Sequence, residues 1–455
     1  MCKAAMILAG GLLVLSACRA PVPSGPVSAA TPAAAGRPAP QVTLLPATPS
    51  AGVSPSPSPT PSILPRPVAS CVASREVSYL SSSPVWSPDG RWLLYLRQRH
   101  SLLRQGGSLC ENSVTQRDAY HLLDLHSGYS HALWPDASYV QARQIRPVWS
   151  PDASQAALLA RFGKDRWRVF VLTPATLRLQ PLDVSPPGPQ QPLWGPDSQS
   201  LFLPGIEADS RLNLLRWHPA SEQLTSLGIF TLAREQEPWN RWLPHAGRLL
   251  ALEARAQGGQ TRLSLTLQAA GQPPQTLWEQ VFPGQARGES LAVSPDERQA
   301  AFWLRLPAES GTDSVQLRLL DLASGSVSQI FTGSDALPLM DWSKDSRQLA
   351  FSGQTRPGEA YEIYAWAPER LRQLTHSDAA VRNQDPAWAP DAGSLIFASS
   401  RGSPSGLQPA EALWQLELKG EGLRQLTCAN ASHDELDSGD GEDWLLQSGP
   451  AERCP

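Results

Sequence analysis

Trp86-Ser-Pro-Asp-Gly90 recurs along the chain, with close copies at Trp149-Ser-Pro-Asp-Ala153, Trp194-Gly-Pro-Asp-Ser198 and Trp388-Ala-Pro-Asp-Ala392. Looser copies begin at Trp242, Val293 and Trp342. The interval from Asp89 to Asp152 is 63 residues, and the later copies follow about every 45 to 50 residues, a period typical of propeller and solenoid arrays. Four or five short strands with their turns fit into that length, and no long helical periodicity accompanies the repeat.

Each copy has the pattern of a strand hairpin built around a tight turn. Pro-x-Trp leads into the turn, and an apolar run such as Trp92-Leu-Leu-Tyr-Leu96 leaves it. Between them the proline restricts φ, the aspartate side chain can accept a backbone N–H, and the last residue tolerates positive φ. The sequence therefore predicts a structural turn role for six aspartates: Asp89, Asp152, Asp197, Asp296, Asp345 and Asp391.

Two further strands complete each repeat. A strand with β-type alternation follows the hairpin, as at Val315-Gln-Leu-Arg-Leu-Leu320, and a fourth strand ends on Leu-Thr, as at Leu374-Thr375. Four antiparallel strands per repeat form a propeller blade. We therefore predict an all-β fold, a β-propeller of four-stranded antiparallel blades, with seven blades expected. Eight blades is the alternative, if a degenerate copy at Asp440 forms a full sheet.

The repeat also resembles a known family. Pro-x-Trp-Ser-Pro-Asp-Gly, an apolar run, an Ile-Tyr-like strand and Leu-Thr resemble the TolB-type, WD-like propeller repeat of bacterial envelope proteins, over roughly residues 76–448. The same repeat occurs in propeller domains of prolyl-oligopeptidase-type peptidases. The TolB resemblance implies a non-catalytic protein that docks an outer-membrane lipoprotein. This chain has a Pro-rich segment where that family has an α/β domain, which leaves the specific partner open.

The N-terminal residues predict export and a lipid anchor. Lys3 precedes an apolar stretch, Ala4 to Val14, that is too short to span a bilayer, so residues 1–17 are interpreted as a signal peptide. Leu15-Ser-Ala-Cys18 resembles the lipobox of bacterial lipoproteins, in which Cys18 would carry the lipid. We therefore expect an extracytoplasmic protein of the bacterial cell envelope, attached to a membrane through its lipid anchor only.

The next segment predicts a tether. Residues 18–69 are rich in proline, alanine and serine, as in Ser54-Pro-Ser-Pro-Ser-Pro-Thr-Pro-Ser62, with few charges and few large apolar side chains. Such a composition cannot bury enough surface to fold and is typical of a disordered, extended tether. The propeller is expected to occupy residues 70–455.

Four cysteines remain once Cys2 is removed with the signal peptide and Cys18 is lipidated. An even number of cysteines in an exported domain favours disulfides, and we name these four as candidates: Cys71, Cys110, Cys428 and Cys454. Three pairings are possible, and spacing favours Cys71 with Cys110 and Cys428 with Cys454. The alternative is free buried thiols.

Composition and motifs argue against several function classes. The chain is 41% hydrophobic and 18% charged with a net charge of −4, which gives no basic field for nucleic acid. It contains no Gly-x-Ser-x-Gly elbow, no Walker loop, no Rossmann fingerprint and no His-Glu-x-x-His, and its eight histidines are scattered. We therefore predict no catalytic residue, no metal ligand and no cofactor. The acidic run from Asp434 to Asp443 is interpreted as a solvated loop.

Blade geometry predicts where a partner binds. We call the four strands of a blade A to D in chain order. The A–B and C–D turns lie on one face of the ring (the turn face), and the irregular B–C and D–A connections, such as Gln98 to Arg117, lie on the other (the loop face). Functional residues are concentrated on loops held by a rigid scaffold. At the mouth of the central channel on the loop face, we predict eight partner-binding residues: Arg143, Arg146, Arg234, Glu235, Glu237, Asp378, Arg382 and Asp385.

These patterns together predict a non-catalytic, protein-binding scaffold of the cell envelope. Its expected partner is an envelope protein or a peptidoglycan-associated molecule. One alternative is a hydrolase or lyase in the propeller channel, with a metal bound by carboxylates. Another is the sensor domain of a surface complex.

Overall fold

The computed structural model of the chain describes residues 73–105, 113–133, 146–160, 167–182, 191–207, 211–231, 239–308, 313–368, 370–402, 410–420, 422–427 and 449–450. All of them fall within one compact unit, Pro67–Pro455. They form seven antiparallel sheets arranged as the blades of a propeller. The predictions of an all-β fold and of seven four-stranded blades are confirmed. The copy at Asp440, on which the eight-blade alternative rests, lies outside the described residues.

The strands follow the repeat closely. Blades 1 to 3 contain β1 (Ala73–Trp86), β2 (Trp92–Gln105), β3 (Ser113–Asp124), β4 (Tyr129–Leu133), β5 (Val148–Trp149), β6 (Ala156–Ala160), β7 (Arg168–Thr173), β8 (Arg178–Pro181), β9 (Leu193–Trp194), β10 (Leu201–Glu207), β11 (Arg211–His218) and β12 (Gln223–Thr231). Blades 4 and 5 contain β13 (Trp239–Leu243), β14 (Arg248–Gln257), β15 (Gln260–Ala269), β16 (Gln275–Pro283), β17 (Arg287–Val293), β18 (Gln299–Leu306), β19 (Ser314–Asp321) and β20 (Val327–Gly333). Blades 6 and 7 contain β21 (Asp335–Trp342), β22 (Leu349–Gln354), β23 (Glu362–Ala367), β24 (Arg370–Gln373), β25 (Asn383–Trp388), β26 (Ser394–Ser399), β27 (Ala412–Glu417) and β28 (Leu423–Gln425), and β29 (Gly449–Pro450) follows.

The repeated motif forms the turn between the first and second strands of a blade. In blade 2, Asp152 Oδ1 accepts hydrogen bonds from the backbone N–H of Ser154 at 3.0 Å and from the Ser150 hydroxyl at 2.6 Å. Ala153, between them, has φ of +61°, the left-handed conformation predicted for this position. The same aspartate contact, from the N–H two residues on, occurs in five other blades, at Asp89, Asp197, Asp296, Asp345 and Asp391.

The motif serine and tryptophan connect this turn to its surroundings. Ser150 is fully buried, and its hydroxyl accepts the N–H of Gln155 at 3.0 Å, which joins the two ends of the turn. The Trp194 indole donates to the Val148 carbonyl of the preceding blade at 3.0 Å, and Trp342 makes the equivalent bond to Ala292 at 3.3 Å. These tryptophans therefore join neighbouring blades through both packing and a hydrogen bond.

The ring is closed between blades 7 and 1. The N–H of Ser81 donates to the Glu411 carbonyl at 2.9 Å, and the Glu411 N–H donates to the Tyr79 carbonyl at 3.0 Å. Apolar side chains of both blades, including Tyr95 and Leu413, share one buried cluster. The short β29 pairs with β4, so the C-terminal part of the chain adds a fifth strand to the outer edge of blade 1.

One predicted connection is wrong. The stretch from Gln98 to Arg117 was expected to be a loop, but β2 continues to Gln105 and β3 begins at Ser113, so most of it forms a long hairpin. The pattern was misleading because the strand buries polar residues: Arg97, Gln98 and Arg99 are all at most 5% exposed. Among the described residues no helix is long and apolar enough to cross a membrane.

Candidate functional site

The structure places four of the eight predicted partner-binding residues, Arg146, Asp378, Arg382 and Asp385. The other four lie outside the described residues: Arg143, Arg234, Glu235 and Glu237. The predicted lipid site and the disulfide candidates also lie outside them: Cys18, Cys71, Cys110, Cys428 and Cys454. Of the four that are placed, Arg146 and Asp385 are buried together, while Asp378 and Arg382 are exposed.

Arg146 joins three blades across the channel. It stands just before β5 of blade 2, and its side chain is only 8% exposed. Its guanidinium donates to the Pro386 carbonyl of blade 7 at 2.7 Å and to the Met340 carbonyl of blade 6 at 3.4 Å. Its Nη1 also lies 3.9 Å from Asp341 Oδ1. Arg146, one of the predicted partner-binding residues, thus makes contacts across the channel.

The cation of Arg146 interacts with two carboxylates, those of Asp341 and Asp385. Burial raises the pKa of Asp341 to about 6, against the opposing effects of Arg146 and of the Trp388 N–H that donates to Asp341 at 2.7 Å. Burial likewise raises the pKa of Asp385, again against Arg146. Asp385 accepts the N–H of Ser83 in blade 1 at 2.9 Å. The cluster therefore ties blades 1, 2, 6 and 7 together near the axis.

A second polar network runs along the loop face from blade 5 to blade 6. Arg305 donates to Glu289 at 3.1 Å and to Asp335 at 2.6 Å, and the Tyr361 hydroxyl donates to the other oxygen of Asp335. The hydrogen bonds that Arg305 donates to the Glu289 carboxylate raise the pKa of Arg305. Burial raises the pKa of Asp335, but hydrogen bonds from Tyr361 and Arg305 outweigh it and hold that pKa below its ordinary value. Burial and the neighbouring Asp335 raise the pKa of Tyr361 to about 12.

Arg382 extends this network to blade 7 and presents it to solvent. Its guanidinium carbon lies 5.3 Å from the centre of the Tyr361 ring, a cation–π distance. Its Nε donates to Gln384 at 3.0 Å, and Gln384 in turn donates to the buried Glu411 at 2.6 Å. The exposed charge of Arg382 is therefore held by groups that are themselves anchored in the sheets. Asp378 is also exposed, and its carbonyl accepts the Val381 N–H at 2.8 Å.

The central channel contains a cavity of about 540 Å³. Blades 2 to 6 contribute its wall, which is mainly apolar and aromatic, with tryptophans at Trp194, Trp239 and Trp242. The two copies furthest from the repeat pattern, which begin at Trp242 and Val293, both lie in this wall. The charged residues in this wall are Arg146, Arg241, Asp341 and Glu297.

Sequence reasoning missed the residues that dominate these sites. Arg241 and Asp341 occupy the slot immediately before the motif tryptophan, where other blades have apolar residues such as Val85 and Val148. A charged residue at a position that is apolar in the other blades could have identified Arg241 and Asp341 as candidate site residues from the sequence. The network of Glu289, Arg305 and Asp335 had no such signal, because its members come from different strands of two blades.

The arrangement can bind ligands through fixed charges and apolar walls. Within the described ranges no three histidine, cysteine, aspartate or glutamate side chains are close enough together to hold a metal ion. The carboxylates of the half-buried Asp341 and the buried Asp385 instead face a guanidinium and backbone N–H groups.

Comparison with known proteins shows the fold alone. No family model and no curated protein matches the chain. Among solved structures, the β-propeller domain of the Trilobed protease from Pyrococcus furiosus is 13% identical, with a TM-score of 0.52 over 78% of this chain and 97% of that one. The GH74 enzyme of Niastella koreensis is 10% identical with a TM-score of 0.52 over 78% of this chain, which spans only 55% of that protein. TolB from Acinetobacter baumannii is 14% identical with a TM-score of 0.39, over 68% of this chain and 75% of TolB.

Proposed function

We propose that this chain is a lipid-anchored extracytoplasmic β-propeller that acts as a non-catalytic protein-binding scaffold of the bacterial cell envelope. Its partner is an envelope protein or a peptidoglycan-associated molecule that meets the loop face. The observation that carries the proposal is the charged network of blades 5 to 7, which ends in the exposed Arg382. The resemblance of the repeat to TolB-type propellers supports it, as does the lipobox-like sequence before Cys18.

The network supports binding because it holds charges in place before a partner arrives. Arg305 and Tyr361 both bond Asp335, and Arg382 stacks on Tyr361, so an exposed cation rests on side chains rooted in two blades. Holding a charged side chain in its bound conformation reduces the entropy lost on association. Charged groups at the rim of an interface also steer encounter and select partners.

We expect Arg382→Glu to reduce recovery of the partner about tenfold when the protein is purified from cross-linked envelopes. A partner surface that pairs with the cation of Arg382 is acidic, and it would repel a glutamate at that position. The matched control is Lys344→Glu, the same charge change at an exposed position in the A–B turn of blade 6 on the turn face. Lys344→Glu should leave recovery unchanged. Equal recovery with both variants would contradict partner binding on the loop face.

Stoichiometric metal in the purified protein, together with turnover of a substrate, would favour the enzyme alternative.

The anchor has its own test. We expect Cys18→Ser to move the protein from the membrane fraction to the soluble fraction, because acyl chains contribute ~0.8 kcal/mol of membrane affinity per buried CH₂. Fractionation and electrophoretic mobility measure the change. A Cys18→Ser protein that stays with the membrane at unchanged mobility would show that the lipobox interpretation is wrong.

A further inference from the structure

We propose that the channel cavity is a binding site for a ligand bearing a free carboxylate, with Arg241 as its anion contact. The site is separate from the loop-face surface around Arg382, and the inference does not depend on the proposed function. Nothing in the repeat pattern requires a charge at this position. The argument rests on how Arg241 is partnered and on what surrounds it.

Arg241 has fewer charged partners than Arg146 and Arg305. Among the described residues, its side chain makes a single hydrogen bond, from Nη1 to the carbonyl of its neighbour Asn240 at 3.1 Å. A guanidinium carries five N–H donors. Within the part of the chain that the structure describes, no carboxylate lies within 4.0 Å of Arg241, whereas Arg305 contacts both Glu289 and Asp335. Arg241 therefore keeps donors that face the cavity without an acceptor.

The surroundings make this lack of a partner costly. Burial lowers the pKa of Arg241 to about 10, so the side chain is still cationic at neutral pH. Arg241 is half-buried in the cavity wall, where a cation without a counter-charge is less well stabilised than in bulk water. A ligand anion would supply the missing counter-charge through short, charge-assisted bonds. The position thus fits a binding residue better than a structural one.

The cavity also indicates the type of ligand. Its volume of about 540 Å³ and its apolar wall with a few polar groups match ordinary small-ligand sites. The planar guanidinium fits a carboxylate or a phosphate. Asp341 lies in the same wall, so a dianionic phosphate would be repelled more strongly than a carboxylate with its single charge. Trp239 and Trp242 flank Arg241 along β13 and offer apolar surface to the rest of the ligand.

Calorimetric titration with three probes tests the site. We expect tri-alanine with a free C-terminal carboxylate to bind the wild-type protein. We expect tri-alanine amide and inorganic phosphate to bind at least about tenfold more weakly, the factor that corresponds to losing one charged hydrogen bond. Succinate serves as a fourth probe that separates the two sources of a carboxylate. If succinate binds as tightly as tri-alanine, the ligand class is small dicarboxylates. If succinate binds more weakly, the ligand class is the C-terminal end of a peptide.

Arg241→Gln should weaken tri-alanine binding at least about tenfold, while Arg298→Gln, at an arginine whose side chain is 84% exposed, should not change it. Without ligand, the melting temperature of Arg241→Gln should equal or exceed that of wild type, because a half-buried cation without a counter-charge has been removed. Equal affinity of wild type and Arg241→Gln for tri-alanine, or no binding to either, would overturn the proposal. So would tighter binding of phosphate, or a clear fall in the melting temperature of Arg241→Gln.

Discussion

Replacing Arg146 with methionine is expected to lower the free energy of unfolding by about 3 kcal/mol. Methionine keeps much of the buried volume but removes the bonds to the Pro386 and Met340 carbonyls. It also removes the cation beside Asp341 and leaves Asp385 with less compensation for its burial. Removing the buried cation is costly because Asp385 stays enclosed and Asp341 stays half-buried without it.

Chemical denaturation at pH 8 measures this loss. The matched control is Arg178→Met, at an exposed arginine in the outer strand of the same blade, where a change within ~0.5 kcal/mol is expected. A loss for Arg146→Met no larger than that of the control would mean that the cross-channel contacts contribute little to stability.

The deficit of Arg146→Met should also depend on pH. The folded-state pKa of Asp341 already lies above its unfolded value, and removing the neighbouring cation raises it further. A carboxyl group with a raised folded pKa favours the folded state below its unfolded pKa, and that contribution is lost as pH rises through the folded pKa. We therefore expect a smaller deficit at pH 5 than at pH 8. At pH 8, adding Asp341→Asn to Arg146→Met should recover part of the loss.

How far the sequence predicts this molecule depends on how local each contact is. Asp89 bonds the backbone of Arg91, two residues away, and such turns were predictable because every partner lies within the motif. Arg146 donates hydrogen bonds to carbonyls that lie 194 and 240 residues further along the chain. No pattern within a single repeat predicts such distant contacts. Arg146 was named as a candidate from its place near the channel, but its role as a cross-channel tie was not foreseen.

The weak copies of the motif show a different limit. The copies at Trp242 and Val293 looked like eroded repeats, and they form part of the cavity wall. Two close copies contribute to the same wall through Pro151 and Trp194, so lining the cavity does not by itself require a departure from the pattern. Departures from a regular pattern are expected at functional or strained positions. Arg241 is such a departure, because other blades have an apolar residue at this position. Its role as a cavity residue could be inferred only once the structure showed the cavity.

The largest loss of stability is expected from Trp194→Ala. Trp194 is 5% exposed, belongs to the buried cluster shared by blades 2 and 3, and donates its indole N–H to Val148 at 3.0 Å. Removing a buried tryptophan leaves a cavity as well as losing the transferred surface, which costs about 3–5 kcal/mol. Because each blade of a ring supports its neighbours, opening this contact should lower the melting temperature of the whole propeller.

Phenylalanine substitutions separate packing from hydrogen bonding. Trp194→Phe keeps an aromatic ring but removes the bond to Val148, so it should cost about 1 kcal/mol more than Trp388→Phe. Trp388 is equally buried, at 4% exposed, but its indole N–H has no partner among the described residues. Thermal and chemical unfolding of the three variants decide the point. If Trp194→Ala costs no more than Trp194→Phe, packing of the Trp194 side chain does not support the blade interface.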